Sequence, residues 1–260
     1  MTGRQSLPTL DKDSLIELYI NKHMRLVDVA KKLNVSDTTI KRDLKKHGIS
    51  VRKKGYGFNV KPEIVLSQTQ YEFFDGLMIS DGSICIHSNT KGRKSIGNGH
   101  LSCGFKYEEF AKYIVKFLNL GADVKLYVHK SERYISGECS QFKFYSESNV
   151  FFTKERDRWY PGGIKIIPAD FRLSPVSMNI MYLSDGWLLK SDKTYRSARL
   201  CTQSFDKNNI EILIRKFAEI GIIANIASDR QITMNTENTI KFLEYIGECP
   251  VDCYKYKWSI

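Results

Sequence analysis

No uncharged apolar run in the 260 residues approaches the roughly 20 needed to cross a bilayer, so a membrane-spanning protein is not expected. The first ten residues lack the charged-then-apolar plan of a signal peptide. The expectation is a protein that is not secreted, working in the cytoplasm as a bacterial or phage-encoded product, or in an organelle. The six cysteines (Cys85, Cys103, Cys139, Cys201, Cys249 and Cys253) form no CxxC pair and no Cys/His cluster of zinc-like spacing. They read as free thiols in a reducing compartment. Only 6 prolines and 17 glycines are present, in no low-complexity tract, while hydrophobic residues reach 42%. That much apolar material can bury a core, which excludes a disordered or fibrous chain.

Acidic residues are the scarcer charge, 29 against 40 Lys/Arg, for a net +11. Residues 1–60 hold 13 Lys/Arg and 6 Asp/Glu, so seven of the eleven surplus charges sit in the first quarter. Such an asymmetry points to a polyanion bound partly through the N-terminus. An anionic membrane surface fits less well, because no Trp/Phe-rich apolar helix face backs these charges. Nucleic acid is the favoured partner.

Leu15, Leu18 and Tyr19 repeat at helical spacing, as do Leu26, Val29, Ala30 and Leu33 after a break at residues 22–25. Asn34 tolerates the left-handed backbone of a tight turn, Ser36 is a good N-cap, and a third helix then buries Ile40 and Leu44 before Gly48 stops it. The run VDVAKKLNVSDTTIKRDLKKHGI (residues 27–49) resembles a helix-turn-helix. In such a module the outward residues of the third helix, Asp37, Thr38, Thr39, Lys41, Arg42 and Lys45, would meet base edges and phosphates. The stretch after it carries Arg52, Lys53 and Lys54 with two glycines and no periodicity. It reads as a basic linker able to follow a phosphate backbone, or as a simple solvated tether.

From about residue 66 the chain repeats itself. FDGLMISDGSI (residues 74–84) has a counterpart in NIMYLSDGWL (residues 179–188), which aligns Asp81 with Asp185, 104 residues on. KFLNLG (residues 116–121) matches KFAEIG (residues 216–221) at a separation of 100. Each half reads as αββαββα, which in the second half means residues 174–184, 186–191, 197–204, 207–220, 222–227, 230–235 and 237–246. The strands alternate. Val124, Leu126 and Val128 oppose Lys125, Tyr127 and His129; Phe142 and Phe144 oppose Gln141, Lys143 and Tyr145; Ile232 and Met234 oppose Gln231, Thr233 and Asn235. One sheet face is therefore expected in the core, and the other is polar, aromatic and basic.

The two Ser-Asp-Gly segments carry the chemistry. A helix dipole disfavours negative charge at the C-terminal end, yet Asp81 and Asp185 both stand where an apolar helix stops. A divalent cation removes the disadvantage, since carboxylates and helix-end carbonyls together make a hard oxygen site suited to Mg²⁺. Small Ser80 and Ser184, with Gly76 a turn earlier, would let the two helices pack side by side and bring the carboxylates to one pseudo-twofold axis. Paired carboxylates with metal ions are a usual device for phosphodiester hydrolysis.

With these features the chain resembles the single-chain, two-motif LAGLIDADG homing endonucleases. FDGLMISDG (residues 74–82) lies on the family motif, MNIMYLSDG (residues 178–186) is a looser second copy with Ile180 at the place of the glycine, and the segments at residues 159–187, 200–205 and 254–256 follow in the expected order. The resemblance covers residues 66–258, and the helix-turn-helix is an addition to it. It implies an α+β fold: a tandem pseudo-twofold αββαββα body behind a small all-α N-terminal domain. The domains are then residues 1–50, a linker 51–65, a first half 66–158 and a second half 159–260.

The resemblance further implies that Asp81 and Asp185 are catalytic metal-binding aspartates, that the carbonyls of Ser80 and Ser184 help to hold Mg²⁺ or another divalent cation such as Mn²⁺, and that Lys165 and Lys255 are symmetric lysines near the scissile phosphates. Gln203 falls where the family places a polar residue near DNA, and Arg199 lies on the same expected strand. The implied protein is a monomeric double-strand DNA endonuclease that leaves 3′ overhangs and serves intron or gene mobility. Its rivals are an intron RNA maturase and a non-cleaving transcription regulator of the same fold. An intein is disfavoured, because the chain neither begins with Cys/Ser nor ends in His-Asn.

Overall fold

A computed structural model describes residues 9–22, 24–51, 62–86, 97–130, 137–190 and 196–259. The chain divides into two compact units, Met1–Pro62 and Glu63–Ile260.

In the first unit, helix α1 (Lys12–Leu15) continues as a π turn through Ile16–Asn21, and α2 (Leu26–Lys32) and α3 (Asp37–Lys46) follow. The periodic apolar residues make its core: Leu15, Leu18, Tyr19, Val29, Ala30, Ile40 and Leu44 are all buried. Asn34 takes φ 52° between α2 and α3, and Gly48 takes φ 71° after α3. The Ser36 hydroxyl accepts from Thr39 N at 3.1 Å and caps α3.

The second unit runs α4 (Gln68–Met78), β1 (Ser83–Cys85), β2 (His100–Phe105), α5 (Glu108–Phe117), β3 (Lys125–Lys130), β4 (Glu138–Tyr145) and α6 (Val150–Trp159). After a short 3₁₀ turn the order recurs as α7 (Pro175–Asp185), β5 (Gly186–Lys190), β6 (Arg196–Leu200), α8 (Lys207–Glu219), β7 (Asn225–Ile226), β8 (Ile232–Thr233) and α9 (Thr236–Ile246), closed by a 3₁₀ helix, Asp252–Trp258. Each half holds a four-stranded antiparallel sheet, ordered β1-β2-β4-β3 and β5-β6-β8-β7. This is the expected α+β plan, used twice. The repeated KFxxxG ends α5 and α8 differently: Asn119 (φ 51°) is the left-handed residue that stops α5, and Gly221 (φ 77°) is the one that stops α8.

Helices α4 and α7 form the spine. Phe73, Phe74, Leu77, Met78 and Ile79 from one, and Met178, Ile180, Met181, Tyr182 and Leu183 from the other, are at most 1% exposed. Each such side chain contributes about 1.5–3 kcal/mol on burial. The charged pair Asp75 and Arg158 adds a strut from α4 to α6, through bonds of 2.7 and 3.0 Å.

Two expectations fail at the sheet edge. Leu126 and Val128 are not core residues: they are 55% and 50% exposed, because β3 is an edge strand and its apolar side is left open. The strands of residues 222–227 and 230–235 shorten to two residues each, since Asn235 turns to cap α9 by accepting from Asn238 N at 2.9 Å.

Candidate active site and nucleic-acid interface

The Ser177 end of α7 crosses α4 at Gly76, where an added Cβ would lie 2.3 Å from the Ser177 carbonyl oxygen. Only glycine permits that approach. The 104-residue offset relating Asp81 to Asp185 relates Gly76 to Ile180 and Ser177 to Phe73. One crossing thus pairs two small residues, and its symmetry mate uses two large ones.

The close crossing brings Asp81 and Asp185 into one electrostatic unit. Burial and then the Asp81 charge push the Asp185 carboxyl up to about 7, against the pull of Lys165 and Lys257. Asp81 is raised by burial and lowered by the same two lysines. Asp81 keeps one side open to water while protein crowds its others. Among the described residues, neither carboxylate has a hydrogen-bond or ion-pair partner within the structure. Their lone pairs stay free at two helix ends.

The lysines bind the surrounding carbonyls instead. Lys165 Nζ donates to Ser80 O at 3.1 Å and Gly82 O at 2.8 Å, on either side of Asp81. Lys257 Nζ donates to Tyr182 O at 3.1 Å and Leu183 O at 2.6 Å. Burial lowers both amines to about 8, against the neighbouring carboxylates that raise them. The two sites are related but unequal: Lys165 straddles its aspartate, and Lys257 sits one turn deeper, 4.5 Å from the Tyr254 ring centre.

Lys255 does not hold the symmetric place. It is exposed and paired with Asp252 at 2.6 Å. The segment is a 3₁₀ helix with three residues per turn, so Tyr254 and Lys257 share the buried side while Asp252 and Lys255 share the outer one. An α-helical or strand reading of YKYK cannot separate the two lysines; the period of three, marked by Tyr254, does.

The oxygens at the two helix ends are donors of the kind a hard cation takes. No group of three or more His, Cys, Asp or Glu among the described residues forms a cation site. The donors on hand are the two unpartnered carboxylates and the carbonyls of Ser80 and Ser184, all hard oxygens. The Ser80 carbonyl is shared with Lys165. This set suits Mg²⁺ or Mn²⁺ and leaves positions for phosphate oxygens.

On the first sheet, Lys125 and Lys143 lie directly opposite each other, Tyr127 faces Gln141, and Gly104 faces Lys143. Lys143 Nζ donates to His129 Nε2 at 3.0 Å and lies 5.9 Å from the Tyr127 ring centre, which meets Tyr145 edge-on. On the second sheet the register row is Trp187, Arg199, Thr233. The Arg199 guanidinium stacks 5.2 Å above Trp187, whose indole donates to Gln231 Oε1 at 3.3 Å. Arg199 Nε is buried without a partner. Trp187, not among the expected interface residues, is the residue that orients Arg199. Asn235 caps α9, and Gln203 is half-buried in the turn after β6.

In the N-terminal unit Thr38, Lys41 and Lys45 are exposed on α3. Thr39 is not outward: it is 9% exposed and bonded to Ser36, as the third residue of a capped helix must be. Arg42 forks onto the fully buried Asp43 at 2.7 and 3.1 Å. Arg52, Lys53 and Lys54 lie outside the described residues. No helix among the described residues is long and apolar enough to cross a membrane.

Residues 71–242 match the family model of the LAGLIDADG DNA endonuclease family. The chain is 28% identical over 210 residues to the uncharacterized protein MJ1098 of Methanocaldococcus jannaschii, across 78% of this chain and 76% of that protein. Its fold is similar to the homing endonuclease I-WcaI bound to its DNA recognition sequence, with TM-score 0.62 and 18% identity over 84% of this chain and 91% of that one. Full-length DUF199/WhiA from Thermatoga maritima aligns at TM-score 0.43 and 16% identity over 70% of this chain and 57% of that one.

Proposed function

Because this chain belongs to the LAGLIDADG DNA endonuclease family, we propose that it is a site-specific, divalent-cation-dependent endonuclease that cuts both strands of double-stranded DNA and leaves 3′ overhangs. It acts as a monomer whose two halves each serve one strand. The observation that carries this reading is the pair Asp81 and Asp185, held at adjoining helix ends with no partner among the described residues and with Asp185 raised by burial and then by its neighbour's charge.

In this reading the two carboxylates, with the Ser80 and Ser184 carbonyls, hold Mg²⁺ or Mn²⁺. Such an ion would supply an acidified water and stabilisation for the leaving oxygen. Lys165 and Lys257 set a positive edge beside each aspartate, offset charge developing on the scissile phosphate and orient the attacking water. The sheet faces hold the duplex. Lys125 and Lys143 neutralise phosphates, and Tyr127, His129, Gln141, Tyr145, Arg199, Gln203, Gln231, Thr233 and Asn235 meet base edges or sugar. Thr38, Lys41, Arg42 and Lys45 of α3, with Arg52, Lys53 and Lys54, extend the footprint.

The test is incubation of the full chain with a randomised duplex library and Mg²⁺, followed by sequencing of the ends. A recurrent cut site with staggered ends supports the proposal. Bound but uncut DNA in both Mg²⁺ and Mn²⁺ would leave a DNA-binding protein and overturn the enzyme.

A further inference from the structure

The lysine of the second site, Lys257, is carried by a 3₁₀ helix that the second half does not cap. Val251, its N-cap residue, makes no side-chain cap bond. The exposed N–H groups are taken by the first half instead: Glu109 Oε1 accepts from Asp252 N at 2.8 Å and Oε2 accepts from Cys253 N at 3.1 Å. A carboxylate receiving two N–H groups at a helix start is a charge-assisted cap. The residues flanking Glu109 complete the grip, since Tyr107 and Phe110 both meet the Tyr254 ring edge-on, at 5.1 and 5.2 Å. Tyr254 in turn lies one 3₁₀ turn before Lys257, on the same buried side.

Lys165 has a one-bond counterpart of this grip: Asn209 Oδ1 of α8, 100 residues after Glu109, accepts from Ile167 N at 2.7 Å. Lys165 itself follows the short turn Pro161–Gly163 that links the two repeats, and its ammonium is fixed by bonds to Ser80 and Gly82 of the first half. At the second site the grip is a carboxylate taking two N–H groups, whereas at the first it is one bond to a neutral amide.

We propose that Glu109 is a positioning residue for the second active site: by capping Asp252–Trp258 from the first half, it sets the height of Lys257 against the end of α7. The inference rests on the endonuclease reading, with Lys257 acting at one strand. It assigns Glu109 no contact with DNA or metal. Loss of the cap frees the first turn of the 3₁₀ helix, lets Tyr254 and Lys257 move together, and leaves Lys165 where it is.

The test uses the full chain and a duplex bearing a site recovered by cleavage selection, with each strand end-labelled separately. Lys165→Met and Lys257→Met first identify which strand each half cuts. Glu109→Ala is expected to slow the Lys257 strand roughly tenfold to a hundredfold, the scale of an ångström-level misplacement, and to leave the other strand at the wild-type rate. Nicked duplex accumulates. Glu109→Gln keeps one acceptor oxygen and should fall between.

Equal slowing of both strands, or of neither, overturns the assignment. Hydrogen exchange of the DNA-free protein reads the same device without cleavage: Glu109→Ala should lose amide protection across Asp252–Trp258 while α4 and α7 keep theirs. Unchanged protection there overturns the proposal even if the wild-type protein cuts. A wild-type protein that cuts no strand, with protection lost in the variant, sinks the endonuclease reading and with it the catalytic part of the assignment, leaving only the cap.

Discussion

Gly76 and Ser177 touch backbone to backbone, and the two helices that bear the aspartates cross at that point. A methyl group at Gly76 would stand 2.3 Å from the Ser177 carbonyl oxygen, a contact no side-chain rotation relieves. Gly76→Ala is expected to cost about 2 kcal/mol or more by overpacking. Ile180→Ala, its symmetry mate, should cost a similar amount for the opposite reason, a cavity. Thermal melts measure both losses. The two diverge in cleavage: Gly76→Ala separates the carboxylates and slows both strands, whereas a hole behind Ile180 leaves the helix ends together. Equal cleavage by the two variants at matched stability would count against the crossing as the device that joins the sites.

Removing either carboxylate while keeping its shape should split binding from chemistry. Asp81→Asn and Asp185→Asn are expected to bind the target within a few-fold of wild type and to lose double-strand cleavage by about a hundredfold or more. Gel shift and cleavage assays on one duplex check this. Full cleavage in either variant would remove that residue from the site.

Lys255 and Lys257 offer an internal control, two residues apart. Lys255→Ala removes an exposed ion pair with Asp252, and cleavage should stay within about twofold, as for most surface substitutions. Lys257→Met removes an ammonium that holds two α7 carbonyls, and the strand served by that half should be cut much more slowly. Strand-resolved kinetics decide. A defect in the first variant and none in the second would restore the assignment drawn from the motif.

Those two lysines also mark what the sequence made legible. The duplication, the aspartates and the alternating strands were readable because each leaves a local trace: a repeat, a charge at a helix end, a period of two. Gly76 was readable as small, but the identity of its partner, Ser177, depends on where α7 crosses α4. Lys257 was hidden because its address is set by a 3₁₀ period of three in seven residues. The exposed Leu126 and Val128 were misassigned because period-two alternation does not say whether a strand is central or at an edge. Thr39 was misplaced for a related reason: helical spacing puts it beside outward residues, and only the Ser36 cap turns it in. Glu109, 143 residues from the N–H it caps, leaves no trace in the sequence.

The facing lysines of the first sheet should show opposite effects on stability and binding. Lys125 and Lys143 are directly across from each other, and like charges so placed cost about 0.2–1 kcal/mol. Lys143→Gln is therefore expected to leave the free protein as stable as wild type or slightly more so, while weakening DNA. The slope of log affinity against log salt should shrink by about one phosphate contact. Titrations at several salt concentrations, beside melts of the free protein, measure both. An unchanged slope would mean that this face does not meet phosphate.

The crowded ionisable groups at the helix ends, Asp185, Lys165 and Lys257 foremost, give the metal-free protein a pH signature. Asp185 is held up at about 7, so between roughly pH 4 and 7 the folded chain keeps a proton that the unfolded chain has lost. Its stabilising contribution is complete below the unfolded value and disappears as pH rises through about 7. Lys165 and Lys257 are held down at about 8, so their contribution is present above the unfolded lysine value of about 10.4 and is lost as pH falls toward 8. The sum is lowest between pH 7 and 8, where the carboxylates and ammonium groups are charged together and partly desolvated. Melts from pH 5 to 10 without metal should show that trough, and added Mg²⁺ should raise the midpoint most at its upper edge, where protons no longer compete for Asp185. Asp185→Asn should flatten the acid side of the trough and abolish the Mg²⁺ shift; an acid limb of wild-type slope in that variant would mean that Asp185 is not the group that titrates.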